Sequence, residues 1–279
     1  MSADNALLTL LTEKLRNNLL VLPTLPEIAV RVRQAADDPD INLHAMAEVI
    51  ARDPALAARM LKVANSAFLG RSIKVSTLNQ AVTRIGLSQV KNIATAMALE
   101  QLFVSQHPDV IGQMAELWHD TIDTTCIAMA CLRFYQQNHK HTSLNMDTMT
   151  LAALVYQIGA LPILAEAEKY PAVFAEPGYL RHAIRDLSPA IGVVILQSWS
   201  FADIFVRVVQ DWSGLQLAEQ PCYTDFVRLA AISRQQYPLR SNESQLLETY
   251  LQQGLIPKVA FMQEPQLQQH YQDAKTMFL

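Results

Sequence analysis

A chain of 279 residues with 51% apolar and only 17% charged side chains has room for one large or two medium domains, and disorder is excluded. A formal net charge of −4 gives no general attraction to nucleic acid or anionic lipid. Three cysteines (Cys126, Cys131, Cys222) without a CxxC pair exclude a disulfide framework and argue against structural zinc, so free thiols and a cytoplasmic location are expected.

The first residues, MSADNALLTLLTEKLRNNLL, lack the basic start and small-residue cleavage site of a secretory signal. Leu7, Leu8, Leu11, Leu15 and Leu19 form a helical stripe instead. Pro23 and Pro26 stiffen a link, with Pro26 placed to open a helix at its first position. Ile28, Val30 and Val32 alternate as a strand would, but the alanine-rich continuation favours a helix ending near residues 37–39. Asn42 and Asp53 are expected N-caps, the latter followed by Pro54. Ser76 is the expected cap of the helix carrying Leu78, Ala81, Val82 and Ile85. Gly86 breaks that helix, and another runs from about Ser88 to Phe103. This half has no GxxxxGKS/T phosphate loop. A helix-turn-helix over Ala45–Lys62 fails because its second helix offers Leu56, Arg59 and Lys62, too few polar groups to read bases.

The segment VSQHPDVIGQ, 104–113, is the expected junction between a unit at 1–110 and one at 111–279. A mostly apolar helix follows over Leu117–Phe134, then a polar loop with His139, Lys140 and His141. The central element is Leu144–Leu164, containing LAALVYQIGALPIL at 151–164, which is too short an apolar run to span a membrane. Pro162 is expected to kink or restart it. Further helices are expected over Leu180–Asp186, Pro189–Trp199 (with Ser188–Pro189 as its start), Ala202–Trp212 (capped by Ser200), Tyr223–Gln235 and Glu243–Gln253. The glutamine-rich tail from Met262 reads as frayed or loosely packed. The fold class is all-α.

Three strings carry a family resemblance: LPTLPEIAVRV at 22–32, VIARDPALAARMLKVANSAFLG at 49–70 and STLNQAVTRIGLSQVKNIA at 76–94. In order and spacing they resemble the HDOD family, the HD-related output domain of bacterial signalling proteins. The stretch from about Ala115 to Trp212 resembles a degenerate HD helical bundle, and the likeness thins beyond it. The resemblance implies a two-lobed helical architecture, and no receiver, cyclase or kinase domain fits in the remainder.

HD phosphohydrolases bind a metal through histidines and aspartates on separate helices, and the metal activates water. The resemblance puts His-Asp in the central helix, in a context like LLHDIG, where this chain reads LVYQIG, so Tyr156 and Gln157 fill the paired positions. A phenol and a neutral amide are poor substitutes. Asp120 falls near the upstream ligand position, one residue from His119, and Ser188 stands where many relatives carry histidine. The dipeptide His119–Asp120 spells HD, but adjacent helical residues point about 100° apart. The expected degenerate pocket is therefore His119, Asp120, Tyr156, Gln157 and Ser188, with no catalytic residue, no metal and no cofactor.

The chain is expected to be a non-catalytic module that binds another signalling protein, with neither membrane nor nucleic acid as partner. The alternative is a nucleotide or second-messenger sensor using the degenerate pocket. Phe68 and Leu69 are expected to form an apolar tip, and Arg71, Lys74, Arg84 and Lys91 a cationic surface beside it. Oligomeric state is left open by the sequence.

Overall fold

The computed structural model describes residues 3–17, 19–69, 73–169 and 177–278, and among them every regular element is a helix. After α1 (Ala3–Arg16), α2 (Glu27–Ala36) starts one residue later than its proline, so Pro26 is the N-cap rather than the first helical residue. Its buried residues are Ile28, Ala29 and Val32, a helical face. Asn42 caps α3 (Leu43–Ala51) by accepting from the Ala45 amide at 2.9 Å. Asp53 caps α4 (Pro54–Ala64) by accepting from the Leu56 amide at 2.9 Å. For α5 (Leu78–Ile85) the cap is Thr77, not Ser76. Gln80 lies three residues beyond Thr77, so the threonine accepts from the Gln80 amide and the glutamine accepts back from the Thr77 amide. That reciprocal spacing is unavailable from Ser76. Gly86, at φ +89°, separates α5 from α6 (Leu87–Leu99).

The spine is α7 (Pro108–Asn138), 31 residues long, with Pro108 in its first turn. The expected junction at 110/111 lies inside that turn. Helices α8 (Met146–Val155), α12 (Tyr223–Ser233) and α14 (Pro265–Lys275) pack along α7, while α6 packs on α8 and α2. The core forms one contiguous cluster from Leu11 to Met277.

Four expectations are corrected. The central element is not one helix: Tyr156–Gly159 form a turn between α8 and α9 (Ala160–Ala167). Pro162 does not kink a continuous helix; it sits in the first turn of the restarted helix α9, where backbone N–H groups have no helical partner. Met146–Ala167 has the length and apolar character of a membrane span, yet most of it is buried inside the protein. Second, Ser188–Pro189 does not start a helix. One helix, α10 (Pro177–Ser198), runs through Pro189. A mid-helix proline costs about 3 kcal/mol, and packing of α10 against α1, α9 and α11 (Asp203–Asp211) offsets it.

Third, Ser200 does not cap α11, whose N-cap is Ala202. With φ at 54° it closes α10 instead: its amide donates to Gln197 O at 3.0 Å and the Phe201 amide to Leu196 O at 2.9 Å. Gly254 closes α13 (Glu243–Gln252) in the same way at φ +74°. Fourth, the glutamine-rich tail is not loose. Leu267, His270, Ala274 and Met277 repeat at helical spacing and are buried, which docks α14 on α7 while the glutamines at 266, 268, 269 and 272 stay largely outside.

Candidate functional site

Asp120, Asp123 and Thr124 lie on α7 at i, i+3 and i+4, one face of the helix. Opposite them α12 ends in a left-handed residue, Gln235, at φ 58°. Its amide donates to Ile232 O at 2.9 Å and the Gln236 amide to Ala231 O at 2.8 Å, a tight C-terminal closure. A non-glycine residue in this conformation costs roughly 1–2 kcal/mol. The turn sets Arg234 and Gln236 against the two aspartates.

Arg234 spans both carboxylates. One guanidinium nitrogen donates to Asp123 Oδ2 at 2.7 Å and the other to Asp120 Oδ1. The second Asp120 oxygen accepts from Gln236 Nε2 at 2.6 Å. Gln236 Oε1 in turn accepts from the Tyr156 hydroxyl at 3.3 Å, and Thr124 lies 3.4 Å from that hydroxyl. The Tyr156 ring meets Trp212 edge-on at 5.0 Å. From α14, Tyr271 donates to Asp123 Oδ1 at 2.9 Å and Lys275 pairs with it at 3.1 Å.

The electrostatics follow from these partners. Burial opposes the charge on Asp123, but hydrogen bonds from Lys275 and Tyr271 and the nearby cations outweigh it, holding its carboxyl below the usual range. Burial pushes the Tyr156 phenol well up, so it stays protonated and donates.

The donor set does not fit a divalent ion. Arg234, which bridges both carboxylates, and Lys275 on Asp123 together already balance their two charges, and the other groups around them are a phenol, an amide and a hydroxyl. Among the described residues, no three His, Cys, Asp or Glu side chains converge as metal ligands.

Of the five expected pocket residues, Asp120 and Tyr156 meet through Gln236. His119 does not join them: it is exposed and lines a separate cleft with Arg59 and Lys62. Gln157 lies half-buried in the turn after α8, where its carbonyl accepts from the Ala160 amide at 2.9 Å. Ser188 is buried beneath that turn with its hydroxyl unpartnered. Gly159 makes this approach possible, since a Cβ there would collide with the Ser188 carbonyl and come within 2.6 Å of the Gly192 amide nitrogen. Sequence reasoning missed Asp123, Arg234, Gln236, Tyr271 and Lys275. The i, i+3 pair Asp120 and Asp123 was the available signal.

The expected interface is also rearranged. Phe68 and Leu69 are half-buried rather than forming a tip. Their turn packs on α14, and the Arg133 guanidinium lies 5.3 Å over the Phe68 ring. Arg84 donates to Ala64 O at 3.1 Å and Ile73 O at 2.6 Å, tying down the chain after α4, and Lys91 pairs with Asp37. Lys74 is exposed, and Arg71 lies outside the described residues.

A sequence model of the HDOD domain matches residues 22–213. A Shewanella amazonensis SB2B structure, provisionally named a metal-dependent phosphohydrolase, is 40% identical over the whole of both chains, with a TM-score of 0.94. A Marinobacter aquaeolei VT8 structure, provisionally named a signal transduction protein, shares the fold at TM-score 0.57 and 20% identity, covering 94% of this chain and 61% of that one. A Treponema pallidum (strain Nichols) protein is 23% identical over 195 residues, 69% of this chain. The match spans about a third, 35%, of that curated relative's length.

Proposed function

The chain belongs to the HDOD domain family, and from that membership we propose that it is a non-catalytic signal-transduction module acting by binding another protein. The observation that carries this reading is the Arg234 fork on Asp120 and Asp123. A metal-activated water needs carboxylates and imidazoles free to hold the ion. Here the carboxylates are committed to an internal cation, and the central pair is Tyr156 and Gln157. The provisional signal-transduction name of the Marinobacter structure agrees with the reading. A groove beside α11, with Ile204 and Leu217 each about two-fifths exposed along it, fits an apolar contact with a partner.

The provisional name of the Shewanella relative defines the competing reading, a metal-dependent phosphohydrolase. Elemental analysis of the purified protein, before and after loading with manganese, iron and magnesium, separates the two. Less than about a tenth of an equivalent, with no phosphoester turnover, is expected. A tightly held equivalent lost in Asp120→Ala, together with turnover, overturns the proposal. The alternative of a second messenger in the same pocket has less support, because Tyr156 is fully buried and its hydroxyl is bonded to Gln236.

A further inference from the structure

A second cleft lies beside α7, around His119. Residues of α4 and α6 form one wall, and α7 with Met277 and Phe278 forms the other. It encloses about 410 Å³, within the range of small-molecule sites. The lining divides by chemistry. Met97, Ile122 and Met277 supply apolar surface, and Trp118 adds a half-buried indole held at 4.8 Å from Phe103. Arg59 is occupied by Glu100 and by the Met97 carbonyl. Lys62 and His119 are exposed, and neither side chain has a hydrogen-bond or ion-pair partner among the described residues. The lining thus holds two permanent cations against one carboxylate, on a chain whose net charge is −4. Such a concave positive spot concentrates anions.

We propose that this cleft binds a small phosphorylated ligand with a flat apolar body, of the nucleoside monophosphate class. The phosphate meets Lys62 and His119 through charge-assisted hydrogen bonds. The base lies against Trp118 and the apolar wall, where an aromatic face accepts any flat ring. A ligand seated there touches α4, α6, α7 and the segment after α14 together, so occupancy would stiffen elements far apart in sequence. The site is separate from the Asp120 cluster, and its existence is independent of whether the protein is an enzyme.

The test is calorimetric titration of the full chain with AMP, GMP, UMP and inorganic phosphate, repeated on Lys62→Glu and Lys74→Glu. Lys74 is exposed and does not line the cleft, so its variant carries the same change in net charge elsewhere. At least one nucleotide is expected to bind at one equivalent, about tenfold or more tighter than phosphate, with Lys62→Glu weakening it at least about tenfold and Lys74→Glu leaving it unchanged. The proposal fails if no nucleotide saturates below roughly 5 mM, a bound too weak for a built site. It also fails if phosphate binds as tightly as the nucleotides, or if both variants weaken binding equally.

Discussion

On one face of α7, Asp120 and Asp123 share the guanidinium of Arg234, and every carboxylate oxygen has a partner. One residue earlier, His119 looks into an open cleft beside Lys62, and neither has a side-chain partner among the described residues. The helix separates the two environments by its own geometry, about 100° per residue. The difference lies in water access. A half-buried carboxylate must be matched inside the protein, whereas an exposed imidazole or ammonium is matched by solvent. Polar groups on the inner face are therefore committed to the fold, and those on the outer face remain available to a ligand.

The hardest break to this arrangement is at the turn beneath Tyr156. Gly159→Ala drives a Cβ into the Ser188 carbonyl and the Gly192 amide, backbone atoms that no rotamer change can move. A loss of about 3 kcal/mol or more is expected, read as a lower denaturant midpoint. Gly112→Ala, at an exposed position of α7 with nothing within 4 Å of the added carbon, is expected to stabilise by about 0.5–1 kcal/mol. Equal effects at the two glycines would remove the argument from close packing.

Next in size is the fork itself. Arg234→Ala leaves Asp120 with Gln236 but no cation, while Asp123 keeps Lys275 and Tyr271. The side chains of Arg234 and Asp120 keep 21% and 28% of their exposure, so solvent screens part of the penalty. The expected loss is about 2 kcal/mol rather than the 3–5 of a fully buried pair. Adding Asp120→Asn to Arg234→Ala is expected to recover part of it, which a double-mutant cycle measures. On the open side Lys62→Ala is expected to stay within about 0.5 kcal/mol. A comparable loss there would erase the contrast between the faces.

Local chemistry was the legible part of this fold. Asn42 and Asp53 bond amides three residues on, a spacing any capped helix shows. Thr77 could have been preferred to Ser76, because only Thr77 has glutamine at the third position. Pro189 misled for the opposite reason: its local cost is real, but packing of α10 on its neighbours decides the outcome. In the site, Asp120 and Tyr156 were reachable by resemblance. Arg234 and Gln236 were not, since their bonds to Asp120 span 114 and 116 residues and no local pattern encodes such a pairing. Tyr271 and Lys275 were hidden further by glutamine-rich composition, which obscured the stripe of Leu267, His270, Ala274 and Met277.

The mildest probe of the inner face is acid. Burial works against ionised Asp123, yet Lys275, Tyr271 and Arg234 hold its folded pKa below the unfolded value. The depressed value fixes the sign. The stabilisation is fully present above the ordinary aspartate range, near pH 3.9, and disappears as pH falls through the folded pKa. Glu166, held low by Lys14 and Lys169 against its own burial, adds a similar slope, so the wild-type curve alone does not isolate Asp123. The useful quantity is the difference between wild type and Asp123→Asn in urea midpoint from pH 7 to pH 2.5. It is expected to favour wild type by about 1 kcal/mol at neutral pH and to shrink as Asp123 protonates. A constant difference across that window would mean that the charge of Asp123 contributes nothing, leaving Asp120 alone to hold Arg234.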